Sequence, residues 1–374
     1  MRRPSSWAFA ANARRAEISV RGFGLRPSRR LATLVATLSN GNGYHLRNGA
    51  FVKVAFVGKG GSGKTTLSAL FVRHLAGRGL PVVAVDADIN QHLGVALGLD
   101  EGRAAKIPAL GDRLPEIKDY LRGDNPRIAS ASAMVKTTPP GEGSRLLRFR
   151  GDDPIHEAGQ EVGVGLGTGG AGITLLATGP FNDEDLGVAC YHSKTGAVEL
   201  YLNHLLDEPG EYVVVDMTAG ADTFASGLFT RFDLMFLVAE PTRKGVGVYR
   251  QYTEYARNYD VAIRVVGNKV QIDEDVAYLR DHVGDDLLTW VGQSAAVRAL
   301  EQGRQGVPLE EGNVAALDRM RAEVDSRSKD WDKFQRQAVE FHVKNARSWA
   351  NKATGENLEE QVDPGFRFPA AYAG

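Results

Sequence analysis

The chain is poor in cysteine, in long apolar runs and in net charge. Cys190 is its single cysteine, so no intramolecular disulfide can form; this fits a reducing, cytoplasmic setting. No apolar run approaches the ~20 residues of a membrane-crossing helix, and the longest early one, Leu31 to Leu38, is broken by threonine and alanine. The formal net charge of −1 over 374 residues gives no global attraction to nucleic acid or to anionic membrane. Residues 1–50 hold nine Arg but no Lys, and Glu17 is their only acid. Such a leader reads as a transit segment, as a basic arm, or as a disordered or spurious start, and the last is preferred because the first core strand begins directly after it.

What is present starts at Val52. Val54-Ala55-Phe56-Val57 leads into Gly58-Lys59-Gly60-Gly61-Ser62-Gly63-Lys64-Thr65-Thr66, and Leu67, Leu70, Phe71 and Leu75 follow at helical spacing. Strand, glycine loop and helix form the context of a phosphate-binding loop. Glycines let backbone N–H groups turn inward around an anion, and the helix N-terminus adds unpaired donors. Lys64 is placed to reach the β- and γ-phosphates, and the Thr65 hydroxyl to ligate Mg²⁺.

Further short apolar runs at Val82–Val85, Ile173–Ala177, Tyr212–Val215, Leu234–Ala239, Ile263–Val266 and Leu287–Val291 read as buried parallel strands. Helix-length segments separate them. The expected fold is α/β, a doubly wound, mostly parallel sheet flanked by helices, with a C-terminal helical extension. Residues 52–318 are expected to form the nucleotide domain. Within it, 100–172 is an irregular insertion with one helix (Leu114–Leu121) and a strand at Arg145–Phe149. Residues 319–374 are expected to form a charged helix and a tail beginning at Gly355.

Chemistry gathers at strand ends. Asp86 and Asp88 close the second strand, with Asp86 expected near Mg²⁺ and Asp88 near the attacking water. Asp216 ends Val213-Val214-Val215 as a second magnesium position, and Gly220 allows close approach to the γ-phosphate. Asn268 and Lys269 are expected at a purine, and Gln271 in place of an acid favours adenine. Cys190 and His192 are two transition-metal ligand types, short of a closed site unless two chains combine.

The loop Lys59–Thr66 resembles the deviant phosphate loop of the MinD/ParA ATPase class, whose mark is the extra lysine, here Lys59. The phrases Val85-Asp86-Ala87-Asp88, Val215–Gly220, Val238-Ala239-Glu240-Pro241-Thr242 and Val266–Val270 resemble the CooC-type ATPases of carbon monoxide dehydrogenase maturation. The resemblance implies ATP and Mg²⁺ as ligands, and a homodimer in the ATP state to which Lys59 contributes across the interface. It also implies a protein client, such as a metalloenzyme, while the balanced charge and the acidic-to-neutral tail argue against membrane and nucleic acid as partners. Where the nickel-binding relatives carry Cys-x-Cys, this chain has Cys190-Tyr191-His192, and Thr218 replaces a common acid. The rival readings are a positioning ATPase on DNA or membrane, an ATP-dependent amide-forming synthetase, and a nucleotide-gated binding module.

Overall fold

The computed structural model describes residues 52–149, 153–163, 172–180, 191–304 and 306–369. All lie in the compact unit Asn48–Gly374. The strands are β1 (Val52–Gly58), β2 (Val82–Ala87), β3 (Leu147–Arg148), β4 (Ile173–Ala177), β5 (Leu205–Leu206), β6 (Tyr212–Met217), β7 (Leu234–Ala239), β8 (Ile263–Val270) and β9 (Leu287–Gly292). The main helices are α1 (Lys64–Ala76), α2 (Leu114–Arg122), α3 (Pro154–Gly163), α4 (Tyr191–His204), α5 (Arg243–Ala256), α6 (Asp273–Val283), α7 (Ala295–Glu301), α8 (Glu311–Asp325) and α9 (Trp331–Asn345).

Seven strands form one sheet in the order β4-β2-β6-β1-β7-β8-β9, and each neighbouring pair is parallel. This is the doubly wound sheet that the alternation of apolar runs predicts. Both faces of the sheet are covered, so β1 is buried along its whole length. Its side chains divide by parity. Val52, Val54 and Phe56 enter one core with Leu67, Phe71 and Leu75 of α1 and Leu317, Met320 and Val324 of α8. Ala55 and Val57 enter the other with Tyr201 of α4 and Tyr252 of α5. Phe56, Phe71 and Phe236 lock the first core, with ring centroids 5.4 to 5.9 Å apart.

Three segments differ from the sequence expectation. The insertion contains α3, which opens on Asp153-Pro154. The Asp153 carboxylate accepts N–H bonds from Ile155 and His156, and proline fills the first helical position, where no donor is needed. The charged C-terminal stretch is two helices, α8 and α9, broken so that Lys329 can turn inward; Asp330 then caps α9 through Lys333 N–H at 2.7 Å. The stretch expected as a tail is packed in part: Leu358, Gln361 and Phe368 are buried, and Phe368 stacks on Trp331 with centroids 4.5 Å apart.

What holds α9 down is a buried ionic cluster. Lys53 of β1 pairs with Asp207, and Lys329 bonds Asp233 at 2.7 Å and Asp207 at 3.4 Å. Both ammonium groups lie about 5 Å from the rings of Trp331 and Phe334. Beside them, buried Arg231 donates to Phe334 O (3.1 Å) and Asn203 Oδ1 (3.2 Å).

Candidate nucleotide site

The site lies beyond the carboxyl ends of the central strands, where strand order reverses around β1. The chain leaves β1 at Gly58, whose φ is +147°. A Cβ there would come 2.6 Å from Val238 O of the neighbouring strand, so only glycine fits the exit. Gly63 then enters α1 at φ +92°, with no side-chain cap and no acid in the first turn. The first N–H groups of α1 are left to an external anion, the local arrangement of an anion-binding helix start.

Lys64 is 6% exposed. Burial pushes its ammonium below the ordinary lysine value, against the pull of Asp216 and Asp88. The Thr65 hydroxyl donates to Asp216 Oδ2 at 2.6 Å. The other oxygen, Asp216 Oδ1, is buried without a protein partner, as is Ser62 Oγ inside the loop.

Asp216 has a second carboxylate beside it. β2 and β6 pair in register so that Asp86 stands opposite Asp216, and both are buried. Burial pushes Asp86 up to about 8, with Asp216 as the next cause. Asp216 is pushed up to about 7 by burial, against the Thr65 bond and the Lys64 charge. Two abutting buried carboxylates require a shared proton or a cation. An orphaned carboxylate oxygen next to a threonine hydroxyl is a hard-oxygen donor set that suits Mg²⁺. The Asp86 oxygens are already committed to Leu93 N–H (2.8 Å) and Asp88 N–H (3.1 Å), so Asp86 acts there as a neighbouring charge and as an organiser of the loop after β2. Asp88 Oδ1 accepts from Asn90 N–H (3.0 Å) and from its side-chain amide (2.8 Å).

The end of β8 closes the loop from the other side. Asn268 Nδ2 donates to Ser62 O at 2.6 Å, and Lys269 Nζ to Gly61 O at 2.7 Å. Lys269, at φ +60°, also pairs with Glu240 Oε1 at 2.6 Å, while Lys59 Nζ stands 3.8 Å from Glu240 Oε2. Thr66, Gly63, Asn268 and Lys269 border a small cavity of about 160 Å³, walled further by Leu70 and Val291. The loop after β6 is adjacent: a Cβ on Gly60 would lie 3.7 Å from Ala219 Cβ. Gly220, at φ +77°, offers its carbonyl to Tyr252 Oη at 2.7 Å.

The structure thus assembles Gly58 to Thr66, Asp86, Asp88, Asp216, Gly220, Asn268 and Lys269 in one region. Cys190 lies outside the described residues, and of His192 only its place in the first turn of α4 is described. Among the described residues, no group of three or more His, Cys, Asp or Glu side chains is arranged to hold a metal ion. Two contributors had no role assigned from sequence. Glu240 follows an apolar strand, the signal that marked Asp86 and Asp216. Tyr252 carries no local signal and is found only by its contact with Gly220.

The CbiA family, described as the CobQ/CobB/MinD/ParA nucleotide binding domain, matches residues 54–307. The carbon monoxide dehydrogenase accessory protein CooC of Rhodospirillum rubrum is 30% identical over 253 residues, which are 67% of this chain and 87% of that one. An uncharacterised ATP-binding protein of Methanocaldococcus jannaschii is 29% identical over 237 residues, 63% of this chain and 81% of that one. Among solved structures, the cell division ATPase MinD of Pyrococcus furiosus aligns over 73% of this chain and 99% of its own, with TM-score 0.48 and 17% identity. The chain belongs to the CobQ/CobB/MinD/ParA nucleotide-binding family.

Proposed function

We propose that the chain is a Mg²⁺-dependent ATPase that dimerises with ATP and acts on a protein client during metallocentre assembly. The observation that carries the ATPase reading is the Asp86–Asp216 pair: two buried carboxylates in register behind a phosphate loop, with Asp216 Oδ1 unpartnered and Thr65 Oγ1 beside it. Thr65 and Asp216 would hold Mg²⁺, which when bound would offset charge on the β- and γ-phosphates. Lys64 and the inward N–H groups of the loop bind the phosphates, and burial of Lys64 strengthens its field there. Asp88 positions the attacking water, and the small cavity beside Asn268 and Lys269 takes one edge of the purine. Lys59 is half-buried and loosely held by Glu240, which leaves it able to reach a second copy's nucleotide. The client class rests on similarity to the accessory protein CooC.

The test is ATP turnover of the full chain with Mg²⁺. Lys64→Ala is expected to abolish it, and Asp88→Ala to lower turnover while ATP binding persists. Near-normal hydrolysis by Lys64→Ala would overturn the assignment. A pull-down with Asp88→Ala held in the ATP state tests the client class: recovery of a metalloenzyme supports assembly, whereas recovery of a chromosomal or filament protein refutes it.

A further inference from the structure

An open groove of about 700 Å³ lies between the segment that follows Gly220, the helix α5 and the C-terminal helix α9. Phe224, Tyr255, Tyr259 and Phe341 give it an aromatic floor, and Trp349 forms part of its wall. Tyr255 is 45% exposed and Trp349 44%, unusual for such large rings. Trp349 is carried on a single π-helical turn, Ala346–Ala350, a local irregularity common at functional sites. Among the described residues, the charged side chains that line the groove are Lys136 and Lys344; Lys344 Nζ also donates to Tyr259 Oη at 3.0 Å and stands 3.7 Å from Glu340 Oε1. Glu199, behind the wall, is buried; the charges of Lys136 and Arg231 act on it, Ser226 and the Gly227 N–H bond it, and its Oε2 has no hydrogen-bond partner.

A chain of contacts links the groove to the loop after β6. Gly220 O accepts from Tyr252 Oη, and Thr223 Oγ1 bonds the same hydroxyl at 2.9 Å. Phe224 packs edge-on against Tyr252 (4.8 Å) and Tyr255 (5.4 Å). Tyr252 thus touches both Gly220 and Phe224, so a shift of Gly220 would bear on the groove floor through these two contacts.

We propose that this groove docks an acidic client segment bearing an aromatic or large aliphatic anchor, and that the nucleotide state sets its affinity. The anchor fills the aromatic floor, and its flanking carboxylates meet Lys136 and Lys344. The gating half rests on the nucleotide reading above; the binding chemistry does not.

The test pans a random peptide library on the full chain loaded with a non-hydrolysable ATP analogue, against a Lys344→Glu counter-target. Lys344 is largely exposed, so this variant is expected to fold, as a melting curve checks. Peptides kept by the wild type and lost by Lys344→Glu are expected to be net acidic with at least one aromatic or leucine. Basic peptides, or no differential enrichment, overturn the proposal. Anisotropy of an enriched peptide is expected to show about tenfold different affinity between the ATP-analogue and ADP states, and about tenfold loss in Trp349→Ala. Equal affinity in the two states, with ATP bound and hydrolysed, refutes the gating and leaves the ATPase reading intact. Failure to bind ATP refutes the ATPase reading, while the peptide data still stand. Loss of the ATP-dependent dimer in Trp349→Ala would make the groove a self-contact and overturn the docking proposal.

Discussion

Replacing Gly63 with alanine tests how the phosphate loop is closed. Gly63 sits at φ +92°, and a Cβ there collides with Asn268 Nδ2, the amide that holds Ser62 O at 2.6 Å. Alanine in a left-handed conformation costs about 1 kcal/mol. Displacing the Asn268 amide forfeits one hydrogen bond, about 1 kcal/mol more. Gly63→Ala is thus expected to lose about 2 kcal/mol of nucleotide affinity, roughly 30-fold. Asn268→Ala removes only the bond and is expected to cost about 1 kcal/mol, roughly fivefold. In the double variant the collision is gone and the bond has already been lost, so its cost stays near 2 kcal/mol instead of the additive 3, a coupling of about 1 kcal/mol. The assay is titration of the four proteins with fluorescent ATP and GTP analogues. Because Asn268 acts through a loop carbonyl, both nucleotides are expected to weaken by the same factor. Additive costs, or a loss confined to ATP, would refute this account of loop closure.

Other predictions rest on separate contacts. Lys59→Ala is expected to keep ATP binding and to weaken ATP-dependent dimerisation in sedimentation, and an unchanged dimer would refute the cross-interface role. Glu199 is pushed up to about 7 by burial, against Lys136 and Arg231. Its folded form holds a proton more tightly than the unfolded chain does, so its contribution is fullest below about pH 4.5 and is lost as pH rises through about 7. Glu199→Gln is therefore expected to flatten the fall in stability between about pH 5 and pH 8, by up to about 3 kcal/mol, in urea titrations; an unchanged slope would count against it. Arg231→Met leaves Phe334 O, Asn203 Oδ1 and Glu199 without their buried cation, and is expected to cost about 3 kcal/mol in urea unfolding. A cost under about 1 kcal/mol would show that α9 is held by packing alone.

The phosphate loop was legible because its chemistry is contiguous: the glycines, Lys64 and Thr65 sit side by side in the chain between an apolar strand and an amphipathic helix. The sheet was legible for a related reason, since strands buried on both faces must be apolar throughout. Asp86 and Asp216 were each visible as acids at strand ends. Their pairing was not, because it depends on β2 lying next to β6, a neighbour relation across 130 residues that periodicity does not encode. Asn268 shows a further limit. Its position at the end of β8 marks it as functional, but whether its amide meets a purine or a loop carbonyl depends on a contact with Ser62, 206 positions away.

Lys53 shows why the C-terminal element was the hardest to read. Within β1, the alternation of β-strand side chains sends Lys53 to the face shared with Ala55 and Val57, which is core. A lone buried ammonium there would be prohibitive, so partners had to exist, and nothing near it in sequence supplies them. The structure brings Asp207 from the start of the loop after β5, Asp233 from the approach to β7 and Lys329 from the break between α8 and α9. Trp331, Phe334 and Phe368 then close over these charges and exclude water. The charged segment that reads as a solvated appendage is in this way drawn onto the sheet by ions from its own core strands. The same attachment fixes α9, and with it Phe341 and Lys344, beside the segment that begins at Gly220. A polar residue at a core position of an otherwise apolar strand is therefore a sequence signal in its own right: it announces that a distant part of the chain will pack there.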